Sequence, residues 1–432
     1  MADKIASPKG TEDLLPQDSY RWQYVERKAL EIAGLFGFKE VRVPTFEHTE
    51  LFNRGVGDTT DVVQKEMYTF DDKAGRSITL RPELTAGVCR SVIQNGLLST
   101  GVLPIRACYV ASCFRYENTQ ATRLREFHQF GVECFGPKGP SADAQVIGVA
   151  YNVFKSLGLK NIKLLINSIG CPTCRKKYQQ ALIEYFNGFK GDLCETCLTR
   201  LEKNPMRIID CKDKDCKEIA KNAPNILDYI CEECQEHFDG LKHNLDLMDI
   251  SYEIDPTIVR GLDYYTKTVI EFVSTYRGEN VTICGGGRYD GLIEQLGGQP
   301  TPALGFAVGI ERLLKVMEEQ DAPFQPDNKC FVYIGNRGQA AADRSQQLVD
   351  ALRKDGFWAE NDVMDRSVKA QMKYADKIGA RYTIILGDDE LANGKGVVKN
   401  MASGEQTEVP LQTEEFVEAM YGLIYSEMTF DE

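Results

Sequence analysis

The 432-residue sequence lacks any long apolar run and has fewer basic than acidic residues. No stretch approaches the roughly 18 apolar residues that a membrane-spanning helix needs. The first residues are polar and lack the apolar centre of a signal peptide, which predicts a cytoplasmic protein without membrane contact. The net charge of −13 argues against a general nucleic-acid coat protein. A local basic patch can still bind RNA, because charges are screened over short distances.

The order of predicted elements divides the chain into domains. Residues 322–328 contain two prolines and predict a linker. Residues 329–432 alternate strands with helices, which is typical of a compact α/β domain. Residues 1–169 and 251–321 combine helices with long strands and predict an α+β domain on a largely antiparallel sheet of six or seven strands. Residues 170–250, rich in cysteine and lysine, predict a separate helical insertion.

A predicted β-hairpin over 105–135 aims polar side chains at one face. Side chains alternate along a strand. Arg115 and Glu117 of the first strand should therefore meet Gln129 and Glu133 of the second, over a floor of small residues. A solvated sheet face is the alternative, but the small residues leave room for a ligand.

Three other segments give weaker signals. In VRGLDYYTKTVIEF, Arg260 precedes Tyr264 and Tyr265, which strand alternation would point to opposite faces. The glycines of CGGGRYDGL let backbone approach a ligand closely, although many loops share this feature. In TPALGFAVGIERLL, Arg312 lies in the first turn of a helix, where an arginine is usually a surface residue.

Together these segments resemble class II aminoacyl-tRNA synthetases. FKEVRVPTFEHTELF is similar to their first, dimer-forming motif, FRYE with REFHQFGVE to the second, and GFAVGIERLL to the third. Within that class, RGLDYYTKTVIEF and GGGRYDGLIEQLGG resemble the two motifs specific to the histidyl-tRNA synthetase family, and TLRPELTAG also fits it. The resemblance covers nearly the whole chain, and it implies a homodimer with an antiparallel-sheet catalytic domain and an anticodon-binding-type C-terminal domain.

The family's activity, carried over, is that of a histidine–tRNA ligase. It forms histidyl-adenylate and pyrophosphate from L-histidine and ATP with Mg²⁺, and then transfers histidine to the 3′ end of tRNA(His). The alternative is a histidine-sensing regulatory paralogue without aminoacylation activity, but such proteins lack catalytic arginines and the anticodon domain. A zinc-binding RNA adaptor with an inert core is a second alternative.

The resemblance also implies a role for each matching position. The catalytic residues would be Arg260 and Arg115, both at the ATP α-phosphate. ATP would be bound by Arg115, Glu117, Arg123 and Arg312. Histidine would be bound by Glu83, Leu84, Thr85, Gln129, Glu133, Tyr264 and Tyr265. Gln120 and Arg125 match positions near the extra 5′ guanosine of tRNA(His), but Asn118 and Thr119 stand where the family has an Arg-Pro pair.

Eight of the 14 cysteines lie between Cys171 and Cys234. Three of their four pairs are CxxC knuckles, and 19 residues separate the first two, which is the spacing of zinc ribbons. An inserted module leaves and re-enters its host at adjacent points, so the outer pairs Cys171/Cys174 and Cys231/Cys234 should form one site. The inner pairs Cys194/Cys197 and Cys211/Cys216 would form a second. Sequential pairing and unligated thiols are the alternatives.

A possible RNA contact lies in the C-terminal domain. Arg366, Lys369, Lys373 and Lys377 recur at helical spacing, which predicts one basic stripe on a helix. A solvated helix face explains the same pattern.

Overall fold

The computed structural model describes residues 5–57, 60, 62–120, 122–324 and 329–428. The chain divides into two units, Met1–Gln325 and Pro326–Glu432. The division falls inside the predicted linker, of which residues 325–328 lie outside the described part. No described helix is both long and apolar enough to cross a membrane.

The first unit combines helices with long strands, as the sequence predicts for an α+β domain. Its helices are α1 (Pro16–Leu35), α2 (Thr49–Val56), α3 (Thr85–Gln94), α4 (Pro140–Ser156), α5 (Pro172–Asn187), α6 (Glu195–Lys203), α7 (Met206–Ile209), α8 (Lys214–Ala220), α9 (Glu232–Leu247), α10 (Leu292–Gln295) and α11 (Ile310–Glu319). Its strands are β1 (Lys39–Glu40), β2 (Phe46–His48), β3 (Thr69–Asp71), β4 (Ser77–Leu80), β5 (Ile105–Phe114), β6 (Glu126–Phe135), β7 (Ile162–Ser168), β8 (Glu253–Ile254), β9 (Thr266–Tyr276), β10 (Glu279–Arg288) and β11 (Ala303–Gly309).

The main sheet has eight strands in the order β1-β5-β6-β11-β10-β9-β7-β8. The six central strands are antiparallel, as predicted, while the two-residue edge strands β1 and β8 pair in parallel with β5 and β7. Strands of two residues show no alternation pattern, so the sequence could not predict β1 and β8. A separate three-stranded sheet has the order β2-β4-β3.

The two faces of the main sheet carry different neighbours. Apolar residues of α1, α4, α9 and α11 pack with one set of alternating strand residues, including Phe130 and Val132 of β6. The other set, including Ala107 and Tyr109 of β5, packs with α3 and the cysteine-rich helices. Burying apolar surface contributes about 25 cal/mol per Å², so the helical layer fixes the sheet that carries the polar face.

The cysteine-rich segment leaves the sheet at β7 and returns at β8, which pairs with β7 through Leu165 and Glu253. Exit and entry are therefore neighbours, as the insertion argument requires. Its last helix, α9, contributes Phe238, Leu241 and Leu245 to the same apolar cluster as α4. The proposed domain boundaries at 169/170 and 250/251 remain a prediction.

The second unit is an α/β domain, as predicted. Its strands are β12 (Val332–Asn336), β13 (Ala359–Asn361), β14 (Tyr382–Leu386), β15 (Lys395–Asn400) and β16 (Gln406–Pro410). Its helices are α12 (Gln339–Lys354), α13 (Val368–Lys377), α14 (Asp388–Asn393) and α15 (Thr413–Met428). The sheet order is β13-β12-β14-β15-β16, parallel up to β14 and antiparallel beyond it.

The basic stripe is shorter than predicted. Lys369, Lys373 and Lys377 lie exposed on α13, but Arg366 precedes the helix. Its guanidinium bonds to the Asp362 carboxylate at 2.9 Å and lies over the Tyr374 ring. An ion pair with a buried carboxylate thus holds Arg366 away from the stripe.

Candidate active site

A cavity of about 230 Å³ opens on the polar face of the sheet, beside the β5–β6 hairpin. The two faces predicted from alternation coincide in the hairpin, where Ala107 lies opposite Glu133 and Ala111 opposite Gln129. Most of the residues singled out from the sequence line this cavity. They are Glu83, Thr85, Arg115, Glu117, Arg123, Gln129, Arg260, Tyr264, Tyr265 and Arg312.

One end of the cavity is cationic. Arg115 is anchored by its Nε, which donates to the Pro82 carbonyl at 2.8 Å, and its guanidinium lies over the Phe127 ring. Arg260 pairs with the Glu271 carboxylate through Nη1, and Arg312 donates from Nη1 to the Thr282 carbonyl. Each arginine is therefore held by a fixed partner at one edge of its guanidinium.

Two of these guanidinium groups still have a buried donor to offer. The Nε atoms of Arg260 and Arg312 are buried and have no hydrogen-bond partner among the described residues. Burial lowers the pKa of Arg312, and the nearby Arg123 and Arg115 lower it further, although Glu117 opposes them. Unpaired buried donors are costly. Donors of this kind suit an anion such as a phosphate.

A glycine makes room for Arg260. A Cβ on Gly285 would lie 2.2 Å from Nη2 of Arg260. The glycine-rich segment was expected to let backbone approach a ligand. Here it admits a protein side chain, which in turn faces the cavity.

The opposite end of the cavity is built around buried carboxyl groups. Glu83 accepts hydrogen bonds from the backbone N–H groups of Thr85 at 2.7 Å and Ala86 at 3.0 Å, in the first turn of α3. Burial raises the pKa of Glu83, although these two N–H groups oppose the shift. Leu84 is 1% exposed and packs in the apolar core, so its side chain does not line the cavity.

Glu133 lies behind the cavity wall. It is 1% exposed and does not itself line the cavity. Its carboxylate accepts from the Thr85 hydroxyl at 2.7 Å and the Tyr109 hydroxyl at 3.0 Å, and also from Tyr289. Burial raises the pKa of Glu133 to about 8, although the hydroxyls of Tyr289 and Thr85 oppose the shift.

The two tyrosines do not point to opposite faces. Tyr264 and Tyr265 precede β9, so strand alternation does not apply to them. Their ring centroids are 4.7 Å apart and both rings line the cavity. The sequence reasoning also missed Tyr289, which lines the cavity, lies 5.5 Å from the Tyr264 ring and holds Glu133. Tyr289 follows closely after the glycines of CGGGRYDGL, and this position in the sequence could have identified it as a cavity residue.

The loop between β5 and β6 carries the positions expected near tRNA. Arg125 lies 3.7 Å above the Tyr116 ring, and Gln120 and Arg123 form a backbone bridge. Arg123 also approaches the Glu117 carboxylate at 3.6 Å. Gln120 and Arg125 lie outside the cavity lining.

The cysteines form the two predicted groups. Cys171, Cys174, Cys231 and Cys234 come together, as do Cys194, Cys197, Cys211 and Cys216, with all sulfurs of a group within 4.8 Å of one another. No disulfide joins any of the fourteen cysteines. The other six are buried in the core, as expected: Cys89, Cys108, Cys113, Cys134, Cys284 and Cys330.

Comparison with known proteins identifies the family. A model described as histidyl-tRNA synthetase matches residues 10–172 and 205–313, and an anticodon-binding-domain model matches 329–420. The chain belongs to the histidyl-tRNA synthetase family. The expectation of an enzyme with a class II synthetase fold is thereby confirmed.

Individual members of the family match over nearly their full length. A histidine–tRNA ligase of Acetivibrio thermocellus is 55% identical over 94% of this chain and 97% of its own. One of Clostridium novyi is 54% identical over 96% of this chain and 99% of its own. The crystal structure of the apo histidyl-tRNA synthetase of S. aureus has a TM-score of 0.83 at 40% identity, covering 96% of this chain and all of that one.

Proposed function

We propose that this chain activates L-histidine with ATP, releasing pyrophosphate, and then transfers histidine from histidyl-adenylate to the 3′ end of tRNA(His). The observation that supports this best is one cavity with a cationic end and a buried carboxyl end. The cationic end suits a triphosphate, and the carboxyl end suits an amino acid with an imidazole side chain. The regulatory alternative is less favoured, because Arg115, Arg260 and Arg312 are all present, together with the C-terminal unit.

The proposed activation step needs no general base. The histidine carboxylate is already ionised and attacks the α-phosphorus, while the bond to pyrophosphate breaks and negative charge builds on phosphoryl oxygens. Catalysis is then positioning and charge stabilisation. The unpartnered Nε atoms of Arg260 and Arg312 supply fixed donors for that charge. Mg²⁺ would neutralise the phosphates of ATP, and Glu117 and Glu311 are carboxylates that line the cavity.

The histidine end of the cavity suits a polar ring. We assign the ammonium group to Glu83, Thr85 and Gln129, and the imidazole to Tyr264, Tyr265 and the Glu133 carboxyl behind them. A site built on buried hydrogen bonds rejects an analogue that lacks the partner atom by about 10⁴-fold or more. Glu133 would give this selectivity, because its three hydroxyl donors fix the position of both oxygens.

We propose structural Zn²⁺ at both cysteine groups. Within them, Cys171 and Cys174 sulfurs are 3.5 Å apart, and those of Cys194 and Cys211 3.9 Å. Tetrahedral Zn²⁺ with bonds of about 2.3 Å would hold sulfurs about 3.8 Å apart, so the spacing fits. None of these eight cysteines lines the cavity proposed for ATP and histidine, which favours a structural role.

The proposed partner in the assembly is a second copy of this chain. On the three-stranded sheet, Phe46 pairs with Leu80 and Phe70 with Ile78, so all four side chains share one face. Phe46 is 56% and Phe70 49% exposed. Of these four residues, Phe46 belongs to FKEVRVPTFEHTELF, the segment that resembles the dimer-forming motif.

Sedimentation measures the proposed dimer directly. Wild type should sediment as a dimer, and the pair Phe46→Asp with Phe70→Asp should shift it to the monomer. Val363→Asp, at a residue 78% exposed in the second unit, is the matched control and should leave the dimer intact. A monomeric wild type would contradict the dimer.

tRNA(His) is the proposed macromolecular substrate. The hairpin loop with Gln120 and Arg125 would meet the acceptor end, and Lys369, Lys373 and Lys377 on α13 the anticodon end. Because translation takes place in the cytoplasm, we place the reaction there.

Aminoacylation tests the complete proposal. Purified protein, ATP, Mg²⁺ and tRNA(His) should form histidyl-tRNA with histidine and with none of the other nineteen amino acids. Arg125→Ala should raise the KM for tRNA while leaving amino-acid activation intact. Activation without any transfer to tRNA(His) would contradict the second step.

A further inference from the structure

The segment that carries Arg260 is held from the catalytic sheet, where Asn167 of β7 donates to the Ile258 carbonyl at 3.2 Å, and also from outside that sheet. Residues 255–265 connect β8 to β9 and contain no regular secondary structure from Thr257 to Tyr265. A loop without its own ladder of hydrogen bonds takes its position from its neighbours. Three of those neighbours belong to the cysteine-rich insertion.

The insertion donates hydrogen bonds to the Arg260 carbonyl and to residues that follow it. Arg207 of α7 donates from Nη2 to the Gly261 carbonyl at 2.9 Å, and its Nη1 lies 3.5 Å from the Arg260 carbonyl. Asn204, just after α6, donates from Nδ2 to the Asp263 carboxylate at 3.2 Å. Arg175 of α5 donates to the Tyr265 carbonyl at 2.9 Å.

These bonds lie beside incomplete packing. A cavity of about 190 Å³ lies between the insertion and the loop, lined by Arg175, Asn204 and Arg207 on one side and by Arg260 and Asp263 on the other. Because side chains do not fill this space, the hydrogen bonds from Arg175, Asn204 and Arg207 fix the position of the loop. The Arg260 side chain has two contacts on the catalytic side. Its guanidinium lies 5.7 Å from the Tyr265 ring centroid and pairs with the Glu271 carboxylate.

The inner cysteine group holds the helices that carry these donors. Cys197 lies on α6, Cys211 two residues after α7, and Cys216 on α8. Their sulfurs gather with that of Cys194. Arg200 of α6 donates to the Arg207 carbonyl at 3.1 Å, which joins the two short helices directly.

We infer that Arg207 and Asn204 are positioning residues for the activation step: the insertion fixes the catalytic loop so that Arg260 faces the α-phosphate. The inference rests on the proposed role of Arg260. A displacement of about 1 Å at a reacting centre can lower a rate about 100-fold, so a bond to the loop backbone is sufficient to affect catalysis. The affected quantity is the rate of adenylate formation rather than substrate affinity.

Single-turnover adenylate formation tests this with four proteins. Arg207→Ala should lower the rate about tenfold to a hundredfold with little change in the KM for ATP or histidine. Arg207→Lys, which keeps one donor, should recover part of the rate. Lys203→Ala, an exposed α6 residue beside Asn204, is the matched control and should match wild type.

A double variant separates positioning from general destabilisation. If Arg207 acts through Arg260, adding Arg207→Ala to Arg260→Ala should cause no further loss. Multiplying losses, or a wild-type rate for Arg207→Ala, would overturn the inference. An undiminished rate for Arg260→Ala would instead refute the proposed role of Arg260. Should Arg207→Ala fail to fold, Arg207→Met, which keeps the apolar stem, decides by the same criteria.

Discussion

The Thr85 hydroxyl donates a 2.7 Å hydrogen bond to the Glu133 carboxylate, and both residues are buried. Thr85 faces the cavity and Glu133 lies behind it. The bond therefore links the wall that would touch the histidine ammonium to the carboxyl that would select its imidazole. A change at either residue should alter substrate selection and the stability of the free protein together.

Glu133→Gln should make stability less sensitive to pH. The folded-state pKa of Glu133 is about 8, against a usual 4.5. The folded protein thus binds a proton that the unfolded chain releases between these values, and wild-type stability falls as pH rises through that window. At about 1.4 kcal/mol per pH unit the effect reaches a few kcal/mol.

Urea unfolding at pH 6 to 9 measures this difference. Glutamine cannot ionise, so the stability of Glu133→Gln relative to wild type should increase with pH and level off above about pH 8. The same variant should lose most histidine-dependent activity. A stability difference that is independent of pH would show that Glu133 is ionised throughout.

Gly305→Ala should destabilise the protein and disturb the histidine end of the cavity. An added Cβ would lie 1.9 Å from Oε2 of Glu133 and 2.3 Å from the Val132 carbonyl oxygen. Overpacking of a core costs about 1–3 kcal/mol, and backbone cannot easily yield here.

The matched control is Gly309→Ala on the same strand, where the nearest atom to an added Cβ is Cβ of Arg312 at 4.0 Å. Denaturant unfolding should show a clear loss for the first variant and little for the second. Equal stability of the two variants would mean that β11 shifts to admit a methyl group.

Arg312→Met should strongly lower activity without lowering stability. Burial and the nearby Arg123 and Arg115 already lower the pKa of Arg312, so removing its charge relieves repulsion in the free protein. Loss of one preorganised donor lowers a rate about 10²–10³-fold.

Pyrophosphate exchange and thermal unfolding give the two readouts. Arg76→Met removes an arginine side chain that is 66% exposed and serves as the control, with activity kept. A marked fall in the unfolding temperature of Arg312→Met would show that this arginine stabilises the fold, and would contradict its assignment as an anion-binding residue.

Metal content should follow the two cysteine groups. Wild type should contain about two zinc ions per chain, Cys197→Ser one, and Cys197→Ser with Cys174→Ser none, because a missing thiolate opens a four-ligand site. Cys284→Ser, at a buried thiol on β10 outside both groups, is the control and should keep both ions. Elemental analysis decides the matter, and fewer than about half an ion per wild-type chain would reject the sites.

Periodicity and topology predicted more of the site than composition did. Strand alternation predicted that the face with Ala111 and the face with Gln129 would coincide, as they do. The adjacency of exit and entry points placed Cys171 near Cys234. Both arguments depend on local geometry that neighbouring residues determine, so they need no knowledge of distant packing.

Contacts between distant segments could not be predicted in this way. Tyr289 reaches Glu133 across 156 positions, and Arg207 reaches Gly261 across 54. The Leu84 side chain packs in the apolar core with α3, although the neighbouring Glu83 and Thr85 line the cavity. The strands β13, β15 and β16 are short and mostly polar, so no apolar pattern marked them.

Histidine-dependent ATP–pyrophosphate exchange, with wild type beside Arg260→Ala, tests the central claim most directly. Wild type should exchange with histidine alone among the amino acids, and Arg260→Ala should lose nearly all of that exchange while keeping the wild-type unfolding temperature. No exchange by well-folded wild type would contradict the proposed activity, and full exchange by Arg260→Ala would contradict the site.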